Sequence, residues 1–152
     1  MTMKKTIGIK RNSIIIIIGI LLSACTKKEN ASQQALLLEL VQAEAVMYEH
    51  PDSALGVLQG MKVPASSDKL QNATWALLTV QAKYKNYKEE LADSTLINIA
   101  YDYFMKQDDA RRKAMVLYYK GVLYEKADKK NEAQESLSLI HISEPTRRVV
   151  IS

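Results

Sequence analysis

The chain has 152 residues, with 21 Lys/Arg against 17 Asp/Glu, 47% hydrophobic residues, five Gly, three Pro and one Cys. A single cysteine excludes a disulfide framework, and the length suits one domain of ordinary size. The net charge of +4 resides in the ends: residues 25–136 hold 15 Lys/Arg against 16 Asp/Glu, so they carry no electrostatic footprint for nucleic acid.

Lys4, Lys5, Lys10 and Arg11 precede an apolar run over residues 14–22, which ends in Leu21-Leu22-Ser23-Ala24-Cys25. A basic stretch, a short apolar stretch and small residues at a cleavage point are the three parts of a secretory signal. The run falls short of the roughly 20 residues that a membrane-spanning helix needs. Its end resembles the lipobox of bacterial lipoproteins. The resemblance implies a signal peptide over residues 1–24, removal before Cys25, and a diacylglyceryl group on the Cys25 thiol. It also implies an anchored protein of the cell envelope. Thr26, in place of Asp after the cysteine, resembles lipoproteins passed to the outer membrane. Residues 25–34 are polar and read as a linker between lipid and domain.

The remainder predicts helices, because Ala, Leu, Lys, Glu and Gln dominate and Gly and Pro are scarce. Residues 36–49 form the first. Leu37, Val41, Ala45 and Tyr48 share one face, and Leu36, Leu40, Ala43 and Met47 widen it. Pro51 ends that helix by pushing His50 out of helical geometry, then suits the first turn of a second helix through Met61. Ala54, Leu55, Leu58 and Met61 form its apolar face, and so short a connection predicts antiparallel packing. After a loop with Pro64, Ser67 is the expected N-cap of a third helix bearing Leu70, Ala73, Leu77 and Tyr84. Residues 85–92 are polar. Asp93 is placed to cap a fourth helix with Leu96, Ile97, Ala100, Tyr103 and Phe104. Asp108 or Asp109 caps a fifth, through about Ala127, with Ala114, Leu117, Gly121 and Tyr124 in a stripe. A sixth begins at Glu132.

Helix pairs thus recur with a period near 40 residues, as in stacked helical arrays. In the third pair, Gly121, Tyr124 and Ala133 have the spacing of the small, aromatic and small positions of a tetratricopeptide repeat, and Ala54 takes the corresponding place in the first pair. The second pair departs from the pattern: its linker is longer, and Ser94 or Ile97 stands where Ala is expected. Residues 35–136 therefore resemble degenerate tetratricopeptide repeats. The fold class implied is all-α, an antiparallel helix-pair solenoid truncated in its third repeat. By that resemblance, Gly121 permits close helix approach, Tyr124 wedges between helices and Ala133 lies at the tightest crossing. A concave groove made by the first helix of each pair would present Lys83, Asn86 and Tyr87 from the second pair. Tyr118, Val122, Glu125 and Lys126 would come from the third.

From Leu137 the pattern changes to a strand-like alternation, with Pro145 close behind. The stretch Leu137-Ser138-Leu139-Ile140-His141-Ile142-Ser143-Glu144-Pro145-Thr146-Arg147 resembles the translation of a transposase adapter used in preparing sequencing libraries. Residues 137–152 are accordingly expected to be a non-native tail, and the natural chain to continue differently after Ser136.

No catalytic set is legible. One cysteine and the pre-proline His50 supply no metal cluster, no Ser/His/acid arrangement exists, and there is no glycine-rich phosphate loop. Glu89-Glu90 and Asp108-Asp109 read as solvated surface and caps. Lys83, Lys85, Lys88 and the run Arg111-Arg112-Lys113 read as solubilising charge, and the clusters Tyr118-Tyr119 and Tyr101, Tyr103, Phe104 as core. The expectation is a non-enzymatic, cofactor-free, lipid-anchored scaffold or adaptor that binds a protein or peptide partner. The alternative is the exported sensory part of a longer signalling or transcriptional regulator. Stable anchoring takes more than one acyl chain, at about 0.8 kcal/mol per buried methylene. Cys25→Ser should therefore move the protein out of membrane fractions or leave it unprocessed. A processed variant that stays membrane-bound, judged by fractionation and intact mass, would refute the anchor.

Overall fold

A computed structural model describes residues 33–143. Residues 1–32 and 144–152, which hold the expected signal segment, Cys25, most of the expected linker and the end of the expected tail, lie outside the described residues. Within them every regular element is helical: α1 (residues 33–46), α2 (Pro51–Gly60), α3 (Lys69–Lys85), α4 (Ser94–Phe104), α5 (Ala110–Lys126) and α6 (Lys130–Ser143), with a 3-10 turn, Leu91–Asp93, leading into α4. The all-α expectation is met. No described helix is long and apolar enough to cross a membrane.

Each helix from α2 onward packs on its successor, and α3 also touches α5. Two cores result, and α3 serves both. Leu78 and Ala82 join Leu40 and Ala43 of α1, Met47 just past it, and Ala54, Leu55 and Leu58 of α2, with Met61 beyond the helix end. Ala73, Leu77 and Val80 join Ile97, Ala100 and Phe104 of α4 and Val116, Tyr119 and Leu123 of α5. A helix enclosed on several sides needs apolar or small residues nearly all round. That is why α3 carries Ala73, Ala76, Leu77, Leu78, Val80 and Ala82 in close succession, all buried.

Helix ends follow local chemistry. Pro51 occupies the first turn of α2, where its missing N–H costs nothing. Asp68, not Ser67, caps α3 by accepting from the Gln71 amide at 3.2 Å, and Asp109 caps α5 by accepting from Arg112 at 2.9 Å. The Trp75 indole donates to the Leu58 carbonyl at 3.2 Å, answering an acceptor in the last turn of α2. Asn86 closes α3, its amide donating to Pro51 O and Ala82 O, each at 2.8 Å. Both α3 and α5 span 17 residues, and Ala110 lies 41 positions after Lys69. The residues just past their ends match as well: Tyr87 and Asp128 are left-handed, at φ 55° and 57°. In each case the next amide reaches back to a carbonyl five residues earlier, Lys88 to Lys83 and Lys129 to Tyr124, both at 2.9 Å.

Three further expectations are corrected. On α1 and the turn after it, Leu40, Ala43 and Met47 are buried, while Leu37, Val41, Ala45 and Tyr48 are exposed. Two apolar faces lie side by side in the sequence, and only the one opposing α2 and α3 is covered. Leu70 of the predicted α3 stripe is exposed for the same reason. Asp93 does not cap α4. It is buried, accepts from the Glu90 amide at 2.8 Å, and pairs with Lys83.

The third correction concerns the expected strand-like break at Leu137 and truncated sixth helix. Instead α6 continues through Ser143. Its seat is Gly121 on α5, where an added Cβ would stand 3.0 Å from the Leu137 Cγ and 3.5 Å from the Ala133 carbonyl. The anticipated close approach at Gly121 and Ala133 is thus present, and Leu137 takes part in it. Gly121→Val should destabilise the fold by about 1–3 kcal/mol through overpacking. Adding Leu137→Ala should recover part of that loss in a double-mutant cycle read by thermal melts; strict additivity would rule out this contact as the cause.

Candidate functional site

The odd-numbered helices meet through side chains far apart in sequence. Arg112, in the first turn of α5, lies at the centre. Its guanidinium donates to Thr74 Oγ1 of α3 at 3.1 Å and to Glu44 Oε2 of α1 at 3.1 Å. Its Nε stands 3.5 Å from Asp109, and its carbon lies 5.4 Å from the centre of the Phe104 ring of α4. Arg111 adds a second contact to Glu44, at 3.5 Å. The run that reads as solubilising charge therefore joins four helices. A planar guanidinium with five N–H donors can hold several acceptors at once, which a lysine could not do in this geometry.

Beside this junction is a tyrosine cluster. The hydroxyls of Tyr84 (α3) and Tyr118 (α5) are 2.9 Å apart. Tyr84, Tyr118 and Tyr119 meet edge to face, with centroids separated by 5.1–5.9 Å, the arrangement that ring quadrupoles favour. Tyr48, just past α1, holds the Lys85 ammonium 4.4 Å from its ring centre. The hydrogen bond to Tyr84 is the main cause that raises the Tyr118 pKa, followed by burial. For Tyr119 burial dominates, then the neighbouring Tyr48, Tyr118 and Tyr84, with a hydrogen bond to Gln81 opposing them. Both phenols are neutral near pH 7. The patch is an apolar and hydrogen-bonding surface, not an acid or base poised for proton transfer.

The predicted groove residues divide into two groups. Lys83 is 2.6 Å from the buried Asp93 carboxylate, and Asn86 is engaged by Pro51 and Ala82; both serve the fold. Lys126 bonds Glu89 through its carbonyl and carboxylate. Tyr118, exposed to 39%, and Tyr87, exposed to 92%, remain available. Val122 is half-buried and Glu125 is exposed. Tyr87 is a bulky residue in a left-handed conformation with its ring in solvent, so the chain bears the strain at an exposed aromatic.

Of the repeat-signature positions, Ala54 and Ala133 are buried, and Gly121 accepts α6. Tyr124 is half-buried and lines a cavity of about 170 Å³ with Ile97 and Leu123, with Lys120 and Lys129 5.8 and 5.9 Å from its ring. A wider cleft of about 490 Å³, with Lys69, Asn72, Asp102, Tyr103 and Lys106 on its walls, includes no predicted groove residue.

Reasoning from sequence misses Glu44, Arg112, Tyr48 and Tyr84. Tyr48 and Tyr84 fall on apolar stripes and so read as core. No local pattern announces the Glu44–Arg112 pair, 68 positions apart. Among the described residues no group of three or more His, Cys, Asp or Glu converges to hold a metal. Replacing Arg112 by Met would leave Thr74 without this donor and Glu44 with only Arg111. Chemical denaturation should show a loss of about 1.5–3 kcal/mol, the range for hydrogen bonds to a charged group. A loss below about 0.5 kcal/mol would mean the junction is incidental.

Against protein-family models, curated proteins and solved structures alike, the chain finds no match.

Proposed function

We propose that this chain is a non-enzymatic interaction module, similar to tetratricopeptide repeats, that is held in the cell envelope by a lipid on Cys25. It docks an extended or helical segment of a protein partner on the surface made by α1, α3 and α5. The observation that carries this reading is the convergence of Tyr48, just past α1, with Tyr84 of α3 and Tyr118 and Tyr119 of α5, with Tyr48 and Tyr118 still partly open to solvent. Partly exposed tyrosines beside cations are the side chains that dominate binding energies at protein interfaces. The 41-residue recurrence of α3 and α5, cap for cap, supports a repeat architecture. The fit of α6 on Gly121 supports helix pairing of the expected kind.

In this reading the aromatic rings supply affinity. Lys85, over the Tyr48 ring, supplies selectivity through charge. Tyr87 adds an aromatic knob at the end of α3. A photo-crosslinking amino acid at position 118 or 87, introduced in cells, should capture one protein species. The same group at exposed Glu132 should not. Tyr118→Ala should weaken binding of the captured partner at least tenfold, about 1.4 kcal/mol, measured at a temperature where the variant, which also loses the Tyr84 hydrogen bond and two ring contacts, is still folded. Equal capture from all three positions, or undiminished binding by Tyr118→Ala, would exclude this surface.

A further inference from the structure

The cavity of about 170 Å³ between α4 and α5 lies apart from the tyrosine surface and shares no residue with it. Its floor is core, formed by the buried Ile97 and Leu123. The Tyr124 ring makes one wall, and Leu91 of the 3-10 turn, 53% exposed, stands at another. An engineered cavity of about 150 Å³ lined by aliphatic and aromatic side chains takes up benzene, so this one has room for a single ring. Seating a ring there would also take part of the Leu91 surface out of water, which is the general driving force for apolar ligands.

The polar side chains around this floor set the sign of the ligand. Lys120 and Lys129 are among them, and among the described residues no Asp or Glu is. Their ammonium groups lie 5.8 and 5.9 Å from the centre of the Tyr124 ring. Nearby, Lys126 pairs with Glu89 and Lys130 with Asp128, but among the described residues neither Lys120 nor Lys129 has a carboxylate partner. Lys120 is half-buried; the Tyr101 ring, 3.8 Å away, and Asn98 Oδ1, at 3.1 Å, hold its ammonium. Both contacts orient the charge without neutralising it. Because Asn98 accepts through its oxygen, its Nδ2 protons remain to donate at the same rim. Two cations and an amide donor over an apolar floor complement a carboxylate joined to an apolar body. A bare inorganic anion would leave the floor unused, and an amine would meet like charge. We infer that the α4–α5 cavity binds a small aromatic carboxylate, its ring against Ile97, Leu123 and Tyr124 and its carboxylate held by Lys120, Lys129 and Asn98. This goes beyond the partner surface: it needs neither the lipid nor the tyrosine cluster.

Benzoate is the probe, titrated into the full chain carrying Cys25→Ser and followed by methyl-resolved NMR spectroscopy. It should saturate with a dissociation constant of about 1 mM or below, in keeping with the efficiency of very small ligands. Methyl resonances of Ile97 and Leu123 should shift, and those of Leu55 and Leu58 in the other core should not. Benzamide, which lacks the charge, and acetate, which lacks the ring, should each bind about tenfold more weakly. Replacing both rim lysines, Lys120→Gln with Lys129→Gln, should weaken benzoate by about tenfold as well, while the ligand-free methyl spectrum stays that of the folded chain. Absence of saturation up to about 20 mM benzoate overturns the inference, as does binding that the double substitution leaves unchanged. Benzamide equal to benzoate would show the lysines to be idle, and acetate equal to benzoate would show a site for any anion; either result overturns it. Shifts spread evenly over both cores would do the same.

Discussion

The guanidinium of Arg112 is the constraint on which the arrangement of helices depends. Apolar burial explains why α3 has neighbours on several sides, but burial is non-directional and would tolerate some sliding of α1 and α5 over α3. Arg112 removes that freedom. Its donors are aimed at Thr74 and Glu44 in a fixed plane, while its backbone amide is tied to Asp109. Because the side chain is only partly exposed, the contacts are less screened than surface pairs. The same residue thus starts α5 and sets its distance from α1, and the tyrosine surface is assembled by that registration.

Legibility in the sequence differs from element to element. Helix starts at Pro51 and Asp109 are local events, fixed by a ring and a carboxylate within a few residues, and the sequence displays them. So it does Gly121 and Ala133, since close helix approach demands small residues and few other positions supply them. The α1 face is not legible. Residues 36–48 offer two apolar stripes of similar strength, and which is buried depends on where α2 and α3 arrive. Asp93 misleads for a related reason: a polar residue before a helix reads as a cap, yet Lys83, ten positions earlier, holds it inward. Leu137 reads by alternation as the start of a strand, but a helix already in progress extends at lower cost than a strand begins without a partner. Of the groove, Tyr118 and Tyr87 can be named from repeat spacing, whereas Tyr48 and Tyr84 cannot, because burial of an amphipathic ring differs between its two ends.

Charge and aromatic surface divide the labour between them. Lys83, Asn86 and Arg112 could have served as ligand contacts by chemistry alone. Each is instead committed to a carboxylate or carbonyl within the fold. What stays open is mainly aromatic and aliphatic. Binding through such groups is tolerant of ionic strength, unlike the encounter of charged patches across a screened solvent.

The left-handed residues after α3 and α5 have a further consequence. Tyr87 and Asp128 share a left-handed φ, and the amide after each reaches back to the carbonyl five residues earlier, so both helices end in the same motif. After Asp128 the next helix begins almost at once, at Lys130; after Tyr87 it begins only at Ser94. The surplus is taken up by the 3-10 turn, which Asp93 pins back to Lys83. Connector length and helix placement are therefore separable in this architecture. A few added loop residues cost little entropy, and a tethering ion pair restores the docking point. Insertions can accumulate between α3 and α4 while the surface formed by the odd-numbered helices keeps its shape.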